Sequence, residues 1–417
     1  MGPSSPSVPA LTALVALASC ASLLAQAPRE TSGTQGEVTE AKITAKPGDG
    51  IKITAGDTFS LALLSWVQPQ YRFLANDSTN PASNAGSADT SSFRIKRART
   101  RMSGNLFSKD IEYRLMMEWV EGTAIKDAWL RWCFWRNEQN AVWARFGQQK
   151  TLYGRESAAS DYMLDFVDRA LATNHFSNSR SRGILFGGDH MEGKLHWTAG
   201  SFNTDVASSS TNAGEETANP DNELNYVFGI RVDPNGDMGD ESYSEGDLEG
   251  LTQIRWTVGA GLQLGNHRAT IGGATRDVDG RDLNIHGAFK LQGFHVLGEV
   301  FLRSDEPDVT GSTSTDSTGW QVGGTYTLPK QEGKDGQLAV GGRFSMITLD
   351  DAAQSVLTGT PLGAVKGDVS ELTALVGYYY KAHKLKAQAS WTLQNVNPDV
   401  GSDATNHIFE VQLQFLF

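Results

Sequence analysis

The sequence predicts an all-β fold: a transmembrane, antiparallel, up-and-down β-barrel of 16 strands, with 18 as the alternative count, and an inward-folded helical constriction loop. Three observations carry this. From Phe59 to the last residue, strand signals follow one another with a period of two and a single convincing helix among them. The strands place polar side chains opposite apolar ones along long runs, as a wet lumen inside a lipid-facing wall requires. Mean hydropathy is -0.34, and no apolar run outside the N-terminus approaches the roughly 20 residues of a spanning helix.

The clearest strand is Phe93–Phe107, FRIKRARTRMSGNLF. Successive side chains on a strand alternate between two faces. One face carries Ala98, Met102 and Leu106; the other carries Arg97, Arg99, Arg101, Ser103 and Asn105. Three arginines in file cannot enter a dry core unpaired and call for water or anions along that face. A soluble strand with a charged outer face has the same local pattern. The long succession of such strands favours the barrel, as does the absence of a blade-like repeat of about 40 residues. A chain whose last residues form a strand also suits a barrel.

Ala10–Ala25 is apolar, and Ala25-Gln26-Ala27 fits a small-x-small cleavage pattern, so residues 1–27 read as a signal peptide. Leu17-Ala18-Ser19-Cys20 offers a lipoprotein-type alternative. Residues 28–55 are polar and of disordered-type composition, a periplasmic lead-in, and 56–417 form the barrel. Removal or acylation of Cys20 leaves Cys133 alone, so neither a disulfide nor a cysteine metal site is expected. Net charge is -12, yet residues 91–190 hold 16 Lys+Arg against 11 Asp+Glu, a net of +5, leaving -17 elsewhere. An acidic chain with one basic segment is not a nucleic-acid binder.

Taken in order, Phe59–Leu74 is the first strand, Asn76–Ser92 a long Asn/Ser/Ala/Gly loop, and the arginine strand follows. Ile111–Val120, Ala124–Arg136 and Asn140–Lys150 come next, joined by tight connections. In 151–181 the spacing of Ala, Met, Leu and Asp predicts a helix over Glu156–Leu171. Strands resume at Arg182–His190 and Lys194–Phe202, before an acidic loop at 203–222. A hairpin at Gly265-Asn266 would give an odd strand count. Reading 251–276 as one strand plus its loop gives 16 and puts the long loops 304–318 and 349–370 outside. Gly293 and Lys381–His383 then become tight periplasmic turns, while the long Asp233–Gly250 faces the periplasm as an exception. The cleanest alternation is in the last strand, with Phe409, Val411, Leu413, Phe415 and Phe417 opposite Glu410, Gln412 and Gln414.

Over Phe93–Gly187 the chain resembles the phosphate-selective porin O and P family. The matching pieces are FRIKRARTRMSGNLF, YRLMMEW, IKDAWLRW, ARFGQQK and GRESAASDYMLDFVDRALATNHFSNSRSRGI. The resemblance implies a trimeric, anion-conducting porin of the bacterial outer membrane, in which the third outer loop folds into the lumen. It also implies that the terminal Phe417 acts as the signal for the barrel-assembly machinery. The chain departs from the family at Thr151-Leu152-Tyr153-Gly154, where relatives carry proline and phenylalanine, in its excess of Arg over Lys, and in its acidic outer loops. These departures bear on phosphate preference, not on the fold.

By parity, the anion-binding, pore-lining candidates are Arg97, Arg99, Arg101, Arg114, Arg131 and Arg145, with Lys150 and Arg155 at the loop and Arg343 and Lys386 farther round. A guanidinium presents a planar fork of donors matched to phosphate and carboxylate oxygens. A file of such groups offers an anion successive weak sites. Glu112, Glu118, Asp127 and Glu299 share the lumen, so wall-bracing ion pairs are the competing role. The eight histidines have no metal-ligand spacing, and neither a nucleophile elbow nor a P-loop occurs, so no cofactor, metal or catalytic site is expected. The expected partners are small phosphate-like anions, outer-membrane lipid and two further copies of the chain. A porin without phosphate preference, or a structural or adhesin-type barrel, is the alternative function.

Overall fold

The computed structural model describes residues 40–77, 89–120, 122, 124–177, 180–203, 224–236, 238, 243–271, 274–307, 314–350 and 366–417. The expected signal peptide and most of the acidic loop at 203–222 lie outside the described residues.

The sheet opens with a short hairpin. Strands β1 (Lys42–Lys46) and β2 (Gly50–Ala55) pair with each other, and β2 pairs with the start of β3 (Phe59–Ala75). The expected lead-in therefore contributes two strands. From β3 to β18 (Ala404–Leu416), sixteen antiparallel strands pair in sequence, and β18 returns to β3 to close the ring. The seam runs through Leu74 opposite Ile408 and Gln70 opposite Gln412. Ser65 and Phe417 finish it by exchanging backbone hydrogen bonds of 2.8 and 2.9 Å. A closed ring leaves the ladder without an open edge.

Alternation then sorts the side chains. On β18, Phe409, Val411, Leu413 and Phe415 are exposed on the outer face, while Glu410, Gln412 and Gln414 point inward and are buried. On β17 (Leu385–Pro398), Lys386, Gln388, Ser390, Thr392 and Gln394 are the inward set. The apolar face is outside and the polar face inside, the inverse of a soluble sandwich.

The region of doubtful count resolves into β11 (Arg255–Ile271) and β12 (Ala274–Leu291). Gly265 and Asn266 lie within β11, paired with Gly280 and Asp279, so no hairpin occurs there. The connection is at 272–273, outside the described residues, between paired Ile271 and Ala274. The next hairpin, from β12 to β13 (Phe294–Pro307), turns through Gln292 and Gly293 with φ of 50° and 88°. That is the two-residue turn whose twist suits paired strands, and it favours glycine at its second position.

The expected continuous helix over Glu156–Leu171 is absent. The segment forms a short helix α1 (Arg155–Ala158), a 3₁₀ turn at Asp161–Met163, and α2 (Leu171–Phe176). Backbone carbonyls that a helix would satisfy internally are bonded elsewhere. Gln414 Nε2 donates to Tyr162 O (3.0 Å), Arg343 Nη1 to Asp168 O (3.0 Å), and Lys150 Nζ to Ala158 O and Ala159 O (2.9 and 2.6 Å). Lys386 and Gln388 donate to Leu164 O and Asp165 O. Inward-facing side chains of the wall supply the donors that set this conformation, and they outweigh local periodicity.

Candidate functional site

The inward faces of β4 (Thr90–Leu106), β5 (Ile111–Glu118), β6 (Ala124–Arg136) and β7 (Ala141–Gln149) form one wall of the site. Cross-strand register stacks their side chains in rows. Trp66 lies beside Arg99, and Arg99 beside Glu118; Leu64, Arg101, Met116 and Asp127 form the next row. Below them Arg114 pairs with Trp129, and Glu112, Arg131 and Arg145 make another row.

Arg131 and Arg145 are direct cross-strand neighbours, an arrangement that is unfavourable on its own. Aromatic faces and one carboxylate relieve it. Arg131 bonds Glu112 (2.5 Å), and both guanidiniums lie over Trp143, at 5.3 and 5.6 Å from the ring centre. Arg145 also lies 5.1 Å from the Trp129 ring, and Arg114 lies 5.2 Å from it. Each such contact contributes about 0.5–2 kcal/mol.

Strand β4 holds one surprise. Opposite it, Gln68 pairs with Arg97 and Pro69 with Ile95, so Lys96 is an extra residue, a β-bulge. Proline has no N–H to give the ladder, which makes it a natural place for a bulge. The bulge resets parity. Arg94 pairs with Gln70 and donates to it (2.6 Å), while Lys96 reaches Asp168.

The 150–180 segment supplies acids that neighbouring strands do not. Asp168 takes Lys96 and Arg97, and Asp161 takes Arg99 and Arg169. Glu118 adds a 2.6 Å bond to Arg99. Burial disfavours the Asp168 charge, but Lys96 and Arg97 outweigh it and hold that carboxyl below its usual range. Arg97 and Arg99 are thus ion-paired, and Arg101 donates to Tyr162 OH (3.2 Å).

Between this wall and the segment lies a cavity of about 230 Å³. Arg99, Arg101, Arg114, Arg145, Arg180 and Lys150 line it, and among the described residues its carboxylates are Asp127 and Asp161. Arg180 bonds Asp127 (2.7 Å). Burial, and after it the charges of Arg169 and Arg180, push the Lys150 ammonium well below its usual value. Trp66, Trp129 and Tyr243 supply its aromatic lining. Trp129, which the sequence reading passed over, shares the face of Asp127 and Arg131 by simple alternation.

The opposite wall behaves differently. On β13, buried Glu299 accepts from Arg155 N (2.6 Å), Thr173 Oγ1 (3.2 Å) and Gln321 Nε2 (2.8 Å), the last from β14 (Thr315–Thr327). On β15 (Gln337–Leu349), Arg343 pairs with Glu156 (3.0 Å). Arg343 and Lys386 therefore hold the segment's backbone and are not among the cavity's lining residues. Arg155 is 2% exposed, lies over the Tyr243 ring, and likewise is not part of that lining.

A second segment meets the first from the end that carries Phe417. It joins β10 (Leu224–Val232) to β11 and was the long exception among the short turns. Glu245 N donates to Met163 O (3.1 Å), and Asp165 N donates to Glu245 Oε2 (2.7 Å). Burial, and behind it the Glu156 and Asp165 carboxylates, push the Glu245 carboxyl up to about 8. Among the described residues, no group of three or more His, Cys, Asp or Glu could hold a metal ion.

The profile of the phosphate-selective porin O and P family matches residues 68–417. No curated protein matched the sequence. Among solved structures, the outer-membrane channel DcaP of Acinetobacter baumannii aligns with a TM-score of 0.56 at 12% identity, over 86% of this chain and 97% of its own. OmpT of Vibrio cholerae, in a trimer form, aligns at 0.53 and 12% identity, over 86% of this chain and 99% of its own. An anion-selective porin from Comamonas acidovorans aligns at 0.52 and 11%, over 86% and 99%. At such identities these likenesses concern the fold. The family match starts inside β3 and runs through β18, taking in the rest of the ring: the chain is a bacterial outer-membrane porin and belongs to the phosphate-selective porin O and P family.

Proposed function

We propose that this porin passes small anions, inorganic phosphate among them, by diffusion through a lumen narrowed by the 150–180 segment. The observation that carries the reading is the charge balance of the cavity among the described residues: five arginines and Lys150 against Asp127 and Asp161. In a narrow channel with low-dielectric walls, such an excess concentrates anions, whatever the sign of the whole protein. Charges on outer loops more than about 10 Å away are screened at 0.1 M salt. The anion-selective Comamonas porin has the same fold, and the trimer form of OmpT supports a homotrimer for this chain. Residues 1–27 act as the export signal, and Phe417 as the mark read by the assembly machinery.

The test is planar-bilayer recording of refolded full-length protein under a KCl gradient, with phosphate added to the chloride current. An anion-selective reversal potential and phosphate block support the reading; a cation-selective one sinks it. A second reading, a porin of weak selectivity, draws on the pairing of Arg97 and Arg99 with Asp161, Asp168 and Glu118. It requires a reversal potential near zero.

A further inference from the structure

The cavity lining joins two chemistries that inorganic phosphate would not need together. Its cations are interleaved with ring faces: Arg114 and Arg145 lie at 5.2 and 5.1 Å from the centre of the same Trp129 ring, and Arg101 lies 5.9 Å from Tyr162. Trp66 packs on Tyr162 with ring centres 5.0 Å apart and also faces the cavity, as does Tyr243. A guanidinium lying over an indole has one face covered, so its N–H edge is the part directed sideways toward an anion. A tetrahedral phosphate can use those edges but gains nothing from exposed ring surface. A carboxylate carried on a flat apolar ring uses both, since aromatic pairs add attraction beyond the area they bury.

We propose that this cavity selects, among small anions, aromatic monocarboxylates: the carboxylate is gripped by the edges of Arg114 and Arg145, and the ring packs against the part of the half-buried Trp129 that the two guanidiniums leave open. The inference rests on the anion-passing reading above and names its preferred substrate class. The volume of about 230 Å³ sets its scale, one small ring with its carboxylate and not a chain of sugars or a peptide. Passage remains diffusive, because each contact is modest and a strongly held solute would not leave.

The experiment measures half-blocking concentrations of the chloride current through refolded full-length protein. Four sodium salts serve as probes: benzoate, cyclohexanecarboxylate, acetate and phosphate. Benzoate is expected to block at about three- to tenfold lower concentration than acetate, the span of one aromatic contact. It should also block below cyclohexanecarboxylate, which matches it in charge and ring size but has no π face. Trp129→Leu should bring the benzoate-to-acetate ratio close to one, and Trp129→Phe should keep part of it. Equal block by benzoate and acetate in an anion-selective wild-type channel overturns the proposal and leaves the anion-passing reading standing. So does a ratio untouched by Trp129→Leu, or phosphate as the strongest blocker. A wild-type channel without anion preference removes both at once. The wild-type comparison needs no variant, so a Trp129 change that failed to fold would not rescue the proposal.

Discussion

Two arcs of the same barrel face the lumen with different surfaces. The arc from β4 to β7 presents arginines braced on tryptophans and borders open space. The arc from β13 to β18 presents Gln, Ser, Thr, Glu299, Arg343 and Lys386, and Glu299, Gln321, Arg343, Lys386, Gln388 and Gln414 are bonded to the 150–180 segment. Position on the ring alone would make all these charged residues equivalent. What separates them is whether the inserted segment consumes their hydrogen bonds. On the proposed function, lumen-facing charge is therefore of two kinds, one that shapes the passage and one that meets the solute.

The largest expected effect comes from loosening the gripping arc. Arg343→Ala leaves Glu156, 2% exposed, without its ion-pair partner, and breaking a buried pair costs about 3–5 kcal/mol. The thermal midpoint of the refolded barrel should fall and single-channel conductance should rise as the segment detaches. Unchanged conductance would mean that the segment does not narrow the pore. Next comes the bordering arc. Arg114→Gln with Arg145→Gln should shift the KCl reversal potential toward zero with little loss of thermal stability. Joint replacement of Arg97, Arg99 and Arg101 by Gln should carry the shift beyond zero to cation preference, because Asp161, Asp168 and Glu118 then stand uncompensated.

A third test concerns the contact between the two inserted segments. The Glu245 carboxyl, pushed up to about 8, titrates above its free value of about 4.3. Between those values the native state holds a proton that the unfolded chain has lost, so docking is fully stable below about pH 4.3 and weakens as pH rises toward 8. Protection of the backbone at 243–247 from hydrogen exchange, after correction for the intrinsic rise of exchange with pH, should fall across that window and level off above it. Glu245→Gln should flatten the profile, and protection that stays constant across the window in the native protein would discard this assignment. The smallest effect is expected from Arg94→Gln. Its partner Glu410 lies 3.6 Å away at a partly exposed site, which limits the loss to under about 1 kcal/mol.

Much of the barrel was legible because alternation is a local property. The outward set Phe409 to Phe415 and the inward set Lys386 to Gln394 need only a period of two, and strand count followed from where long loops must fall. Three features were not legible for a common reason: each depends on residues far away in sequence. The helix expected over Glu156–Leu171 gives way to Gln414, Arg343 and Lys386, more than 170 positions downstream by sequence number. The ion-pairing of Arg97 and Arg99 depends on Asp161 and Asp168, which no adjacent strand contains. Arg155 sits on the right segment, but its guanidinium lies over the ring of Tyr243, in the connection after β10. The bulge at Lys96 is different, since Pro69 announces an interruption of the ladder, and weighing it would have moved Arg94 to the inner face.

The seam between β3 and β18 has a bearing on time as well as shape. Leu74 meets Ile408 only when nearly the whole chain is available, and contacts of such long range form slowly because so much chain must be ordered first. Neighbouring hairpins can form early; the ring can close only late. Until then one flank of β3 would stand bare, open to pairing with the wrong chain. The hairpin of residues 42–55 covers Phe59–Leu63 on that flank, the stretch that β18 does not reach. It acts as a local guard on the slowest joint, and leaves unprotected only the length that the final strand is due to fill.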